Sequence, residues 1–496
     1  MVYLLALDAG TTSCRSIVFD AAGRACGAGQ REITQYFPQP GYVEHDPHEI
    51  WSAQLETAFE AMRIADARAT DIAAIGIANQ RETTILWDRT TGAPICNAIV
   101  WQDRRTAAAC ERDRAWLAPR VRDRTGLVLD PYFSATKIAW MLEHVPGLRA
   151  RAEAGDIAFG TVDAWLVWKL TGGARHVTDM TNAARTMLFD IHTLRWSDDL
   201  LRAFDIPAAM LPEVLPCTAN FGTTAPGIFE CPIAIAGVAG DQHAALLGHA
   251  GFDAGIAKNT YGTGSFVLLN TGERVVRSAH GLVATLGFAF ERDRATYALE
   301  GSIFVTGAAV QWLRDGLGFI ERSSEIEHLA ATVADNGGVY FVPAFAGLAA
   351  PYWDPSARGA IVGLDRGVLR AHIARAALEA MAYQGADVIA AMEADAGAPI
   401  VELRVDGGAS ANDFVMQFQA DVSGRTVARA ANVESTALGA AYAAGLQCGL
   451  WADLDTLRSQ RREDRRFVPA MDEGWRRSAL ARWHDAVGRS RGWIAP

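Results

Sequence analysis

The stretch LLALDAGTTSCRSIVFD, residues 4–20, decides how the chain is read. An apolar run ends at Asp8, a Gly10-Thr11-Thr12 turn follows, and a second apolar run returns through Ile17, Val18 and Phe19. This is the pattern of a tight hairpin whose backbone N–H groups and threonine hydroxyls converge on an anion. The device recurs half a chain later as NTYGTGSFVLLN, residues 259–270. One such turn is weak evidence, but one in each half predicts two related lobes, each lending a clamp to a single polyphosphate.

Composition fits that picture. At 496 residues, half of them hydrophobic, the chain is too long for one ordinary core and predicts two large α/β domains. A formal net charge of -11 argues against a nucleic-acid surface, so a small substrate is expected. The seven cysteines are scattered and never spaced as CxxC, which argues against a disulfide framework or a zinc site and fits a reducing cytoplasm. The N-terminal apolar run lacks a basic flank and enters the first hairpin directly, and no run of about 18 apolar residues exists, so neither a targeting segment nor a membrane span is expected.

Strand and helix signals alternate along the chain. Residues 72–78 read as an apolar strand, and residues 134–142 carry helical spacing at Ile138, Met141 and Leu142. The repeat places a boundary within residues 248–255, dividing the chain into lobes 1–250 and 251–496. In the second lobe, residues 402–406 read as a strand, Gly407-Gly408 as a turn, and Ser410 as the cap of a helix with Phe414, Val415, Phe418 and Val422 on its apolar face. The alanine-rich segment 369–391 reads as a packing helix without a functional role.

Several segments carry chemistry. Asp8 ends a strand beside the Gly-Thr turn, where a carboxylate either caps the turn or holds Mg²⁺ through water beside phosphates. Arg15 opens the returning strand, either as a solvent-facing charge or with its fork aimed at a phosphate. NQRETT, residues 79–84, follows an apolar strand, the end of an α/β sheet where ligand groups collect. Arg81 and Glu82 form either a surface ion pair or a donor and acceptor for the hydroxyls of a polyol, with Trp101 and Phe266 available to cover its carbons. Asp241, after the strand of residues 233–238, is either a helix cap or a general base, since phosphoryl transfer to a hydroxyl requires removal of its proton.

Taken together, these residues resemble the glycerol kinases, FGGY carbohydrate kinases of the actin-like (ribonuclease H-like) ATPase fold. The resemblance runs nearly end to end: DAGTTSCR (8–15), PGYVEHDP (40–47), NQRETT (79–84), WQDRRT (101–106), DPYFSATKIAW (130–140), HVTDMTNAARTMLFDIH (176–192), GDQHAAL (240–246), NTYGTGSF (259–266), GAAVQWLRD (307–315), APYWDPSARGAIVGL (350–364), VDGGASANDFVMQFQAD (405–421) and ESTALGAAYAAG (434–445). It implies that Thr11, Thr12, Ser13 and Arg15 contact the phosphates of ATP. Arg81, Glu82, Tyr132, Asp241 and Gln242 would bind glycerol, with Asp241 the base. Thr263, Gly307, Gln311, Gly408 and Asn412 would hold the nucleotide. The implied reaction is Mg²⁺- and ATP-dependent phosphorylation of glycerol to sn-glycerol 3-phosphate by a dimer or tetramer. Alternatives are a kinase for another small polyol or ketose, or an actin-like ATPase that is not a kinase. Cys14 departs from the serine usual in the family's first hairpin. Residues 213–232, where bacterial relatives carry an inhibitory fructose 1,6-bisphosphate loop, contain no Lys, Arg or His, so that inhibition is expected to be absent or weak.

Overall fold

The computed structural model describes residues 1–494. Its strands gather into two main sheets. The first contains β1 (Tyr3–Ala9), β2 (Ser13–Asp20), β3 (Ala25–Glu32), β4 (Ile72–Asn79), β5 (Thr218–Thr223) and β6 (Ala234–Gly240), in the order β5-β6-β4-β1-β2-β3. The second contains β7 (Ile256–Tyr261), β8 (Ser265–Gly272), β9 (Val283–Glu291), β10 (Arg294–Ile303), β11 (Glu402–Asp406), β12 (Val427–Ala430) and β13 (Glu463–Phe467), in the order β9-β10-β8-β7-β11-β12-β13. The runs β3-β2-β1-β4-β6 and β10-β8-β7-β11-β12 share one plan: three antiparallel strands built on a hairpin, then two joined in parallel. The ribonuclease H-like layout thus occurs twice, as in the actin-like ATPase fold, and each main sheet takes its strands from one side of residues 248–255.

The central strands are buried on both faces. In β1, Leu5, Leu7 and Ala9 join a core under α1 (Pro47–Ile64), while Leu4 and Ala6 face the opposite way. Covered parallel sheets read as continuous apolar runs for this reason.

What covers the second face was not visible in the sequence. Beside α2 (Ser134–His144), which matches the expected helix, the first half supplies α3 (Asp241–Gly248), and the second half supplies α4 (Gly307–Asp315), α5 (Arg370–Ala396), α6 (Asp413–Ser423) and α7 (Ser435–Gln447). Although α7 lies far into the second half, Ala437, Leu438, Ala440, Ala441 and Ala444 pack on the first sheet, so a division of packing at residue 250 leaves this helix on the wrong side. Glycines bring it close. A Cβ on Gly439 would lie 1.7 Å from the Ala244 carbonyl oxygen, and one on Gly76 would lie 2.1 Å from that of Ala440.

Two local expectations shift. Residues 408–411 form a 3-10 turn before α6, so the cap is Asn412, whose Oδ1 accepts from Val415 N at 2.9 Å, while Ser410 Oγ donates to Gly407 O at 2.7 Å. The packing helix runs on to Ala396 and buries Glu379, Gln384 and Asp387 along with its apolar residues. None of the described helices is long and apolar enough to cross a membrane, and all seven cysteines are free thiols.

Candidate active site

Register alone assembles the first half of the site. Ala9 of β1 and Gly240 of β6 both lie opposite Asn79 of β4, so the turn after Asp8, the NQRETT segment and the start of α3 emerge side by side at the carboxyl ends of three adjacent strands. Hydrogen bonds tie them together. Gln80 Nε2 donates to Gly10 O at 2.9 Å, and Trp101 Nε1 donates to Thr11 Oγ1 at 2.8 Å. Thr12 is exposed at the tip of the turn, where its carbonyl accepts from Ile33 N, and Ser13 Oγ accepts from Gln30 Nε2 at 3.3 Å.

Beside this turn lies a corner with aromatic walls. The Trp101 ring meets Tyr132 edge-on at 5.5 Å and Phe266 at 6.2 Å, and the Arg81 guanidinium lies 5.7 Å over Phe266. Arg81 Nε is 3.1 Å from Asp241 Oδ1, and its Nη2 donates to Tyr132 Oη at 3.3 Å. Asp241 is the first residue of α3, and its side chain remains 28% exposed, so its carboxylate faces the cleft. Gln242, next to it, is buried. Arg81, Tyr132, Trp101, Phe266 and Asp241 therefore converge, while the Gln242 side chain is met by Lys258.

Glu82 is not the surface ion-pair partner that one reading allowed. It is buried, and its Oε1 accepts from Arg185 Nε at 2.7 Å. Arg185 Nη2 in turn donates to Glu300 Oε1 at 2.8 Å, and Arg81 Nη1 to Glu300 Oε2 at 2.5 Å. Glu300, on β10, is thus the carboxylate that two buried arginines of the first half share. Despite burial, they hold its pKa down at about 2. Sequence reasoning missed Glu300 and Arg185, and also two buried lysines. Lys137 donates to the carbonyls of Pro131, Tyr132 and Phe133, clamping the loop that carries Tyr132. Lys258 Nζ donates to Gln242 Oε1 and, at 3.1 Å, to Thr260 Oγ1.

The groups expected to meet phosphate are already engaged. Arg15 pairs with Glu434, the residue before α7, and its Nε donates to Gln30 Oε1 at 3.0 Å. The Asp8 carboxyl is pushed up to about 7 by burial, then by the negative charges of Asp241 and Glu434, with Arg15 opposing. This surplus of carboxylate is what a bound cation would offset. Among the described residues no cluster of three His, Cys, Asp or Glu can hold a metal, so Asp8 would supply one carboxylate to a Mg²⁺ completed by water and phosphate oxygens, the usual way that ion is bound.

The second half forms the other wall. Thr260 lies opposite Asp406, which places the Gly262–Gly264 turn beside the turn at Gly407. Gly307 N donates to Gly262 O at 3.1 Å, and a Cβ on Gly307 would lie 2.6 Å from that oxygen, so the start of α4 can approach the hairpin only as glycine. Between these parts opens a cavity of about 500 Å³ lined by Thr263, Gly307, Gln311, Gly408 and Asn412, with Leu378, Met381 and Val415 as apolar walls. Its size suits a nucleoside, and the N-termini of α4 and α6 favour negative charge nearby.

Comparison with known proteins agrees with this architecture. Residues 3–248 match the model of the N-terminal domain of the FGGY family of carbohydrate kinases, and residues 257–448 match that of its C-terminal domain. The chain is 56% identical to a glycerol kinase of Bordetella parapertussis, over 100% of this chain and 98% of that protein. It is also 56% identical to one of Deinococcus radiodurans, over 99% and 98%. The crystal structure of Plasmodium falciparum glycerol kinase with ADP superposes with a TM-score of 0.93 at 37% identity, covering 99% of this chain and 98% of that one. With both halves matched in order by the family's two domain models, and with two sheets built on one plan, this chain belongs to the FGGY family of carbohydrate kinases.

Proposed function

We propose that this protein transfers the γ-phosphoryl group of ATP to a terminal hydroxyl of glycerol, giving sn-glycerol 3-phosphate and ADP. One observation carries the reading: a partly exposed carboxylate, Asp241, stands 3.1 Å from Arg81 in a small corner walled by Trp101, Tyr132 and Phe266, directly beside the Gly10-Thr11-Thr12 turn. A three-carbon triol needs such a mixture of polar groups for its hydroxyls and aromatic edges for its carbons. Full-length identity of 56% to proteins named glycerol kinase favours glycerol over other polyols.

In this reading the adenosine end of ATP occupies the cavity lined by Thr263, Gly307, Gln311, Gly408 and Asn412. Its phosphates extend between the two hairpin turns, toward Thr11, Thr12, Ser13 and Arg15. Arg81, Glu82, Tyr132 and Gln242 orient the triol, with Arg185 and Glu300 holding Arg81 and Glu82 in place. Asp241 takes the proton of the terminal hydroxyl as its oxygen bonds to the γ-phosphorus, and the bond from that phosphorus to the β-γ bridging oxygen breaks to release ADP. Mg²⁺, held near Asp8, would offset phosphate charge. Positioning and preorganised donors supply most of the acceleration, and closure keeps water out. A cytoplasmic dimer or tetramer completes the proposal.

The test is ADP release coupled to a reporter, with MgATP and glycerol, a panel of other polyols and a control without alcohol. Glycerol-dependent turnover that falls about 10²–10⁴-fold in Asp241→Asn while glycerol still binds supports the substrate and the base. Turnover independent of alcohol, or preference for another polyol, overturns the substrate assignment.

A further inference from the structure

The chain contains 46 basic residues, of which only Lys137, Lys169 and Lys258 are lysines. Where nearly every cation is arginine, a retained lysine marks a place that needs a compact ammonium rather than a planar fork. Lys137 and Lys258 are both fully buried beside the candidate active site. Lys137 is accounted for by the three carbonyls it clamps. Lys258 plays no part in the mechanism above.

Lys258 lies on β7, in the strand that leads into the second phosphate turn, and reaches across to the start of α3. Its ammonium donates to Gln242 Oε1 and Thr260 Oγ1. Burial lowers its pKa to about 8, opposed by the negative charges of Asp406 and Asp241, so the ammonium form still prevails at pH 7. A lysine ammonium has three donors and no acceptor, so the amide atom turned toward it must be the oxygen. This settles the one ambiguity of a glutamine side chain, which is otherwise free to flip. With the oxygen taken, the NH₂ is the end left for a ligand, on the residue that follows Asp241 and whose backbone N–H donates to the Asp241 carboxylate.

We propose that Lys258 is a positioning residue that locks the Gln242 amide with its NH₂ toward the alcohol, so that a hydroxyl meets a donor from Gln242 and an acceptor from Asp241. The proposal rests on the glycerol-phosphorylating reading. A flipped amide would instead place two acceptors side by side, and an alcohol has a single proton to share between them. Lys258 thereby acts on alcohol binding through Gln242, and it does so from the second half of the chain, coupling the alcohol corner to the strand that carries the nucleotide turn.

The test is a double-mutant cycle between Lys258→Met and Gln242→Ala, measuring KM for glycerol and kcat at saturating ATP, with thermal melts of each variant. Lys258→Met is expected to raise KM about tenfold with a smaller change in kcat, and to change KM less than about twofold once Gln242 is alanine, the non-additivity of residues acting as one unit. Equal effects in both backgrounds overturn the proposal. Gln242→Glu serves if Lys258→Met fails to fold, because it keeps a partner for Lys258 and removes only the donor. A KM for glycerol raised as far as in Gln242→Ala is expected, and an unchanged KM overturns the proposal. Absence of glycerol turnover in the unaltered protein would instead sink the functional reading on which this one stands.

Discussion

Glu300 offers the sharpest quantitative test of the site's architecture. Glu300→Gln preserves shape but removes the carboxylate that Arg81 and Arg185 share in a setting closed to water. The difference between 4.5 and about 2 corresponds to about 3 kcal/mol, at about 1.36 kcal/mol for each tenfold change. Breaking a buried ion pair from one side gives a matching figure of about 3–5 kcal/mol, mostly from stranding the partner charge. The sign follows from the direction of the shift. A carboxyl with a depressed folded pKa contributes stability above its unfolded value, near 4.5, and loses it as pH falls toward 2, so at pH 7 the whole contribution is present to be removed. For a unit of 150–250 residues, about 3 kcal/mol lowers the melting temperature by about 6–12 °C. Circular dichroism melts of the ligand-free protein at pH 7 measure this directly. Adding Arg185→Gln to Glu300→Gln removes one of the two stranded cations but also the partner of Glu82 Oε1, so it should recover no more than about 1 kcal/mol. A single variant melting within about 2 °C of the parent, or a double variant less stable than the single one, would refute the reasoning.

The remaining expectations concern the edges of the site. Glu434→Gln frees Arg15 from a half-buried ion pair worth about 0.2–1 kcal/mol, so KM for ATP should fall about 1.5- to 5-fold; a rise would mean that Glu434 orients Arg15 rather than competing with phosphate. Gly439→Ala drives a methyl into the Ala244 carbonyl, 1.7 Å away, and should cost about 3 kcal/mol or abolish soluble expression, read by urea unfolding. Wild-type stability in that variant would show that α3 and α7 can separate. Fructose 1,6-bisphosphate should leave the glycerol-dependent rate unchanged, because residues 213–232 carry no cation and the nearby Arg175 and Arg292 are both committed to Glu213. Inhibition at physiological concentrations would disprove this.

The hairpins were legible because a Gly-Thr turn between apolar runs has few other uses, and the strands at residues 72–79 and 402–406 because their apolar runs are bounded by turn residues. Arg81, Asp241 and Gln242 were legible as polar groups at strand ends. Glu300 was not, because a single acid in an apolar strand reads as an edge or an error until its partners are known, and those lie 219 and 115 residues away. The same holds for Lys258, whose partner Gln242 was read for its substrate rather than for its neighbour. Glu82 was recognised as a site residue, but its hold on Arg185 was not, since nothing local reveals a partner 103 residues away. The cap at α6 slipped by two residues because Ser410 and Asn412 are both good caps, and the 3-10 turn that chooses between them is set by the tight turn at Gly407.

The placement of α7 has a bearing on how the chain is made. The inner face of the first sheet, with Leu4, Ala6, Ile17, Phe19, Ala74 and Ala78, is completed by residues from Ala437 to Leu457. Synthesis at about 5–20 residues per second puts that closing segment roughly 10–40 s behind the last strand of the sheet. Throughout that interval the nascent first half presents an apolar wall to water, and a fragment ending near residue 250 would keep it. The halves can be told apart on paper by their repeated sheets, yet the ribosome cannot deliver the first as a finished product: it matures only when the second is nearly complete.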